Sequence, residues 1–341
     1  VGKFMASDNP VQLARPVRYS RLLLGATPVV TLTLALRGRE VRLRLKLESF
    51  NPCGSIKDRA AESLFDSVKE SLDTDVGFIE STSGNLGVAL AAIAEAHRVP
   101  FTAVIDPRTP RPAIHAMRRF GARIHLVREP DGEGGYLLSR LQAVRAAVEA
   151  DPRLVWTNQY ENPANPLAHE RSTGPELAEQ IGRDGFVAVP VSTGGTLAGL
   201  RAYAARETSW SVVGVDVFGS RALRHESGRR ILPGIGSSRA SSFISAEDGP
   251  TRLVDSIAAL SACLWLVERS GIGVGASSGA LIVAALDMLA QGEADEVTCV
   301  CPDGASNYLD TVYSETWRAR EGIDLVLPHA EVLRVDWEDE R

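Results

Sequence analysis

Short β-branched or apolar runs alternate with longer helical patterns along almost the whole chain, and few folds accept that order. Residues 41–47, 77–81, 101–105, 123–127, 154–157, 186–191, 211–217 and 296–301 read as strands. Residues 58–69, 85–97, 111–120, 135–150, 196–205, 256–270, 278–290 and 308–320 read as helices. Strands joined through helices run parallel, so the pattern predicts an α/β fold with mainly parallel sheets. With 341 residues there is material for one large or two medium domains. A seam falls near Glu161-Asn162-Pro163-Ala164-Asn165-Pro166, where Asn and Pro interrupt two periodic segments. The stretch from residue 321 onward reads as a solvated, partly disordered end.

Composition removes several classes of function. The formal charge of −6 and the absence of Lys/Arg clusters interleaved with aromatics give no nucleic-acid footprint. No stretch is long and apolar enough to span a membrane, and residues 1–16 lack the apolar core of a signal peptide. Four cysteines do not make a disulfide framework in a chain of this length. Cys299 and Cys301 would share a strand face, but no His, Asp or Glu stands beside them at ligand spacing, so no metal is expected. A reduced cytoplasmic protein is the simplest expectation.

The chemistry concentrates in hydroxyl- and glycine-rich turns. Lysine is scarce, occurring only at positions 3, 46, 57 and 69. Lys57 follows the Asn51-Pro52-Cys53-Gly54-Ser55 turn and opens a helical pattern. A lysine there is either a surface residue at a helix start or an amine on a rigid base, as a covalent aldehyde anchor needs. Thr82-Ser83-Gly84-Asn85 closes a strand and opens a helix, which reads as an N-cap or as a carboxylate cradle. Ser192-Thr193-Gly194-Gly195-Thr196 is a second such junction, a plain turn or a phosphate cradle; it lacks both a Walker lysine and a dinucleotide spacing. Gly275-Ala276-Ser277-Ser278-Gly279 is a third hydroxyl turn, and Pro302-Asp303-Gly304 ends the last apolar strand, at the edge where open α/β sheets bind ligands.

Lysine, carboxylate cradle, phosphate cradle and hydroxyl turn, in that order, resemble the pyridoxal-phosphate enzymes of the cysteine synthase and cystathionine β-synthase family, known as fold type II. The likeness runs from Gly25-Ala26-Thr27-Pro28 to Trp317. It implies two α/β domains, each with a mainly parallel twisted sheet flanked by helices. Residues 48–160 would form a smaller mobile domain, and 17–47 with 161–325 a larger phosphate-binding one, flanked by an extension (1–16) and an acidic tail (326–341). It implies pyridoxal 5'-phosphate as cofactor, small amino-acid substrates, a homodimer, and β-elimination and replacement through α-aminoacrylate. By the same resemblance Lys57 binds the cofactor covalently and shuttles the α-proton, and Asn85 bonds the ring 3-hydroxyl. Ser192, Thr193, Gly194, Gly195 and Thr196 hold the phosphate, and Ser277 faces the pyridine nitrogen. Thr82, Ser83, Gly84, Asn85 and Gln159 belong to the substrate carboxylate.

One branch fits better than the cysteine synthases. Glu129-Pro130-Asp131, Gly134-Gly135-Tyr136-Leu137 with Arg140, Asn158-Gln159-Tyr160, Pro190-Val191-Ser192-Thr193, residues 232–239 and residues 308–317 resemble the N-(2-amino-2-carboxyethyl)-L-glutamate synthases. That branch joins O-phospho-L-serine to L-glutamate on the way to 2,3-diaminopropionate, used in siderophores and antibiotics. Both substrates are strongly anionic. Arg140 is either a solvent-facing helix arginine or a fork for carboxylate or phosphate, while Tyr160 and Ser192 add polar groups to the substrate site. Cys53 stands where the family normally has a smaller or hydroxylated residue, and Asp303-Gly304-Ala305-Ser306-Asn307-Tyr308 lacks the arginine that the family usually carries just before this tyrosine. A cysteine synthase, or β-replacement with another amine, remains the rival reading.

Overall fold

The computed structural model describes residues 19–338, except Ser83, Glu133, Gly134, Glu226, Ser227, Arg229, Pro233, Ala246 and Glu247. The expected extension 1–16 lies outside the described residues. In chain order the strands are β1 (Val29–Leu36), β2 (Arg39–Leu47), β3 (Phe78–Ser81), β4 (Phe101–Ile105), β5 (Arg123–Leu126), β6 (Val155–Trp156), β7 (Asp184–Pro190), β8 (Ser209–Val217), β9 (Thr251–Val254), β10 (Glu296–Cys301) and β11 (Glu331–Trp337). The helices are α1 (Lys57–Val68), α2 (Asn85–His97), α3 (Arg111–Arg119), α4 (Leu137–Ala150), α5 (Ala164–Ala168), α6 (Gly174–Ile181), α7 (Gly195–Glu207), α8 (Ser256–Ser270), α9 (Ala276–Gln291) and α10 (Glu315–Glu321).

Two sheets carry two cores. A four-stranded sheet, β5-β4-β3-β6, is parallel throughout. Its helices α1, α2 and α3 bury Leu64, Phe65, Leu90, Ile93 and Met117 against Phe78 and Phe101. A seven-stranded sheet runs β11-β1-β2-β10-β7-β8-β9; β2 through β9 in that order are parallel, while β1 is antiparallel to both its neighbours. Helices α8 and α9 cover one face, where Cys299 and Cys301 share a side with Leu43 and Leu45. This is the α/β architecture that the strand–helix alternation predicts. The hairpin joining β1 to β2 is the exception, and it turns on Arg37 and Gly38, both at positive φ, as a two-residue hairpin loop demands.

Two expectations need correction. The chain beyond residue 321 is not simply a solvated tail, because β11 pairs with β1 from Val30↔Trp337 to Ala35↔Glu331 and Glu338 accepts a bond from the Thr31 hydroxyl at 2.9 Å. Residues 308–320 are not one helix; a short 3-10 turn ends at Tyr308 and α10 begins only at Glu315, capped by Ser314. The stretch 161–166, read as a seam, lies between β6 of the smaller sheet and β7 of the larger, and the chain beyond Pro163 folds into α5, a wide π turn over His169–Thr173, and α6.

β2 also carries charge where none was expected. Its Leu43, Leu45 and Leu47 face the core, yet Lys46 on the other face is fully buried. Its ammonium donates to the Thr27 carbonyl (2.6 Å), to Gln180 Oε1 (2.6 Å) and to Glu176. Glu176 also takes Arg59 Nη1 at 2.8 Å, and Glu48 takes Arg59 Nε and Nη2 at 2.7 and 2.9 Å. Removing one member leaves an uncompensated buried charge, which costs about 3–5 kcal/mol. Glu48→Ala should therefore lower the denaturation midpoint sharply; a midpoint matching the parent protein would show that the network contributes nothing.

Candidate active site

A cavity of about 560 Å³ opens between the two sheets, and nearly all the residues singled out from sequence meet there. Lys57, Thr82, Gly84, Asn85, Arg140, Gln159, Tyr160, Ser192, Thr193, Gly194, Thr196 and Ser277 line it. Gly195 stands behind the wall, and Ser83 lies outside the described residues.

Lys57 is the first residue of α1. The preceding turn is held from both ends: the Cys53 N–H donates to Asp58 Oδ2 (2.7 Å), and the Ile56 N–H donates to the Pro302 carbonyl (2.8 Å). Burial lowers the Lys57 amine, partly offset by the negative charge of Asp303. Cys53 is half-buried against the core of the smaller sheet with its thiol pushed up by burial, which fits a packing role.

Asp303 organises the floor. It is buried at the end of β10, and its Oδ2 accepts from Asn85 Nδ2 and from the Tyr308 hydroxyl, each at 2.6 Å. Asn85 Oδ1 in turn accepts from Asn307 Nδ2 at 2.8 Å. Burial pushes the Asp303 carboxyl up to about 6, against the opposing effects of Tyr308, Asn85 and Lys57. A Cβ on Gly275 would lie 1.9 Å from Asp303 Oδ1, so only glycine fits beside it.

At the Thr82–Asn85 turn the N-cap reading and the cradle reading coexist. The Thr82 hydroxyl accepts from the Gly87 N–H (2.9 Å) at the start of α2, while Thr82, Gly84 and Asn85 border the cavity. Gln159 faces them, its Nε2 donating to the Ser81 carbonyl at 2.7 Å. Buried Glu80 fixes that arrangement by accepting from the Ser81 and Gln159 N–H groups, the Thr157 hydroxyl and Trp156 Nε1.

The turn from β7 into α7 is shaped by missing side chains. Gly194 has φ of 92°, and a Cβ there would fall 2.1 Å from Ser241 Oγ. One on Gly195 would fall 2.2 Å from Asn165 Oδ1. The N-cap Gly194 offers no side chain to α7 and Thr193 Oγ1 takes only the Gly195 N–H, at 3.4 Å, so the N–H groups that follow remain for a ligand. A backbone-lined helix start bordered by Ser192, Thr193 and Thr196 fits a phosphate group. Ser192 donates to the Gly236 carbonyl at 3.1 Å. Ser277, buried in the first turn of α9, lines the cavity across from Gly234.

Arg140 is not a solvent-facing helix arginine. It is buried in the cavity wall 3.2 Å from Asp106, yet its Nε and Nη1 have no hydrogen-bond partner among the described residues, because the ion pair is bent away from hydrogen-bond geometry. Tyr160 packs beside it on Leu137 and Leu141, and burial raises its phenol.

Sequence reasoning overlooked Glu80, Asn165 and His169 and left Asp303 without a role. An acid inside the apolar strand 78–81 was a visible signal for Glu80. Asn165, which donates to the Gln159 carbonyl (2.7 Å) and to Thr193 Oγ1 (3.2 Å), lay hidden in the presumed seam.

Because Asp303 binds its proton more tightly folded than unfolded, its contribution to stability is present below about pH 4 and lost as pH rises through about 6. Cofactor-free protein should lose about 2 kcal/mol more between pH 4.5 and pH 8 than the Asp303→Asn variant does. Parallel stability–pH curves for the two proteins would show that Asp303 does not titrate this way.

Known proteins resemble this arrangement. The family of pyridoxal-phosphate dependent enzymes matches residues 21–303. The N-(2-amino-2-carboxyethyl)-L-glutamate synthase of Ralstonia nicotianae is 38% identical over 303 residues, 87% of this chain and 90% of the relative. An O-acetylserine dependent cystathionine β-synthase from Helicobacter pylori superimposes with a TM-score of 0.77 at 28% identity, covering 86% of this chain and 97% of its own. A hydrogen sulfide-producing enzyme of Fusobacterium nucleatum, complexed with an α-aminoacrylate intermediate, gives a TM-score of 0.80 at 25% identity, covering 92% of this chain and 97% of its own.

Proposed function

The chain belongs to the pyridoxal-phosphate dependent enzymes, and from that premise we propose that it joins O-phospho-L-serine to the amino group of L-glutamate, releasing phosphate and forming N-(2-amino-2-carboxyethyl)-L-glutamate. The observation that carries this reading is buried Arg140, with two guanidinium donors unspent at the cavity wall beside Tyr160 and Ser192. Buried unpaired donors cost stability unless a ligand satisfies them, and an anionic substrate does so. The 38%-identical relative bears the name of the same activity. Sulfide, the nucleophile of a cysteine synthase, has no use for such a fork.

Bound in this cavity, pyridoxal phosphate supplies an electron sink for chemistry at the substrate Cα. The protein does the rest. Ser192 to Thr196 and the start of α7 would hold the phosphate group, Asn85 would bond the ring hydroxyl, and Ser277 would meet the ring nitrogen. A neutral hydroxyl at that nitrogen would leave it largely unprotonated, which suits loss of a β-substituent better than transamination. Lys57 would anchor the cofactor covalently and move the α-proton through Nζ. Its lowered basicity favours the neutral amine that proton abstraction requires. Thr82, Ser83, Gly84, Asn85 and Gln159 grip the α-carboxylate. Arg140 holds a second anionic group, the leaving phosphate or a glutamate carboxylate. A ligand touching both the Thr82 turn and the α7 turn draws the two sheets together over the site.

Borohydride treatment of the yellow holoenzyme should mark Lys57, and Lys57→Ala should retain weak cofactor binding without turnover; normal turnover would remove Lys57 from the mechanism. With O-phosphoserine and L-glutamate, mass spectrometry should find the secondary-amine adduct. Cysteine from sulfide with no glutamate adduct would sink the assignment. Arg140→Ala should lower kcat/KM for the anionic substrates roughly ten- to hundredfold while the cofactor stays bound.

A further inference from the structure

Two further arginines line the cavity and have no part in the reading so far. Arg108 and Arg230 share its wall with Arg140, but the three differ in depth. Arg140 is buried, Arg230 half-buried and Arg108 exposed. Arg108 stands in the turn between β4 and α3, which Asp106 fixes. Asp106 Oδ1 accepts from the Arg108 N–H at 2.8 Å, while its Oδ2 faces Arg140 Nε at 3.2 Å. The Arg108 guanidinium lies over the Tyr136 ring, 5.3 Å from its centroid, a contact made through charge and not through N–H donors. Arg230 comes from the larger sheet's side, in the chain between β8 and β9, and its Nη2 donates to Ser238 Oγ at 2.8 Å. Gly135 makes room for it: a Cβ there would fall 3.0 Å from Arg230 Nη2 and 2.7 Å from Ser238 Oγ.

The two guanidinium groups act on one another. Burial lowers the basicity of Arg230, the carboxylates of Asp131 and Asp216 oppose that, and the charge of Arg108 lowers it further. Asp131 also serves the backbone beside them, accepting from the Gly135 and Leu138 N–H groups at 3.0 and 3.2 Å. Arginine stays protonated at ordinary pH, so the repulsion is a standing cost of the ligand-free protein. A carboxylate set between the two cations turns that cost into attraction. The cavity as a whole has room for such a charge. Among the described residues Lys57, Arg108, Arg140 and Arg230 line it against the carboxylates of Asp106, Asp303 and Glu321.

In the proposed reaction phosphate leaves before the amine attacks, so the two substrates occupy the cavity in succession. The attacking nitrogen belongs at the buried end, beside Lys57. In an extended glutamate the distal carboxylate carbon lies about 5 Å from that nitrogen. It therefore points away from the buried end, toward half-buried Arg230 and exposed Arg108. We propose that Arg108 and Arg230 form a fork for the distal carboxylate of the nucleophile and so select glutamate as the amine donor. The inference rests on the reading of this chain as a glutamate-using synthase.

Because the substrates act in succession, kcat/KM for O-phosphoserine and kcat/KM for glutamate report separate halves of the reaction. Both are measured on holoenzyme, from released phosphate and from the adduct. Arg230→Gln should lower kcat/KM for glutamate roughly ten- to hundredfold and leave that for O-phosphoserine within about twofold. Arg230→Lys, which keeps the charge but not the fork, should recover part of the loss. Arg108→Gln, at an exposed position, should cost about two- to fivefold, and added salt should shrink that cost. Equal losses for both substrates would make Arg230 a structural residue, and a loss confined to O-phosphoserine would give the pair to the phosphate; either result overturns the inference. A parent protein that forms no glutamate adduct would refute the proposed function and the fork with it. A parent that forms the adduct beside an Arg108→Gln/Arg230→Gln variant with unchanged kcat/KM for glutamate would refute the fork alone.

Discussion

The buried ion network of Lys46, Glu48, Arg59 and Glu176 is the constraint on which the site depends. Its two cations and two carboxylates balance, and every charge has a hydrogen-bonded partner inside the network. Such groups are costly to bury and tolerable only when paired this completely. What they secure is position. Lys46 belongs to the end of β2 in the larger sheet, Glu48 to the 3-10 turn directly after it, Glu176 to α6, and Arg59 to the first turn of α1. Arg59 lies two residues beyond Lys57, so the clamp on its guanidinium fixes where α1 starts and therefore where the Lys57 amine meets the cavity. Gly25 completes the joint, since a Cβ there would fall 2.8 Å from Glu176 Oε2.

Around that anchored amine the cavity collects helix beginnings. α2, α7 and α9 all start at its wall, each after a glycine, with Thr82 taking the Gly87 N–H of α2 and Thr193 the Gly195 N–H of α7. The remaining N–H groups and the positive ends of three helix dipoles converge on one space, an arrangement that suits a ligand with several anionic groups. It also explains why the strand-to-helix turns are rich in glycine and hydroxyls. At Gly194, Gly195 and Gly275 a side chain would collide with a neighbouring residue, so backbone approaches where bulk cannot.

Much of this was legible in the sequence, because the signals were local. The strand and helix periods of 101–105, 85–97, 256–270 and 296–301 coincide with β4, α2, α8 and β10 to the residue. The order of lysine, two cradles and hydroxyl turn survives folding intact, since each motif opens a helix (α1, α2, α7 and α9) at the cavity wall. What escaped was set by contacts distant in sequence. Lys46 reads as an ordinary polar face of β2, and only the arrival of Glu176, 130 positions away, makes its burial possible. β11 looked like a charged tail because an edge strand shows one face to water and its pairing with β1 spans some three hundred residues. His169 sat in a segment whose Pro and Asn residues suggested a break. Pro163 instead precedes α5, and the π turn continues from it without interruption.

The remaining feature of the cavity is how its charges are balanced. Two of the cations in the wall, Lys57 and Arg140, stand near a buried carboxylate, yet neither spends its donors fully on it. Asp303 lies close enough to act on Lys57 but gives its Oδ2 to Asn85 and Tyr308, and its Oδ1 has no hydrogen-bond partner among the described residues. Asp106 neutralises Arg140 from 3.2 Å while leaving Nε and Nη1 without a bond. The carboxylates thus lower the cost of burying positive charge without closing the sites that a substrate needs. A tighter pairing would make the free protein more stable and the cavity less receptive. A looser one would leave charges that burial could not sustain. On the proposed function, specificity for anionic substrates would follow from that intermediate arrangement, since a ligand without a second anionic group would leave the guanidinium donors as unsatisfied as before.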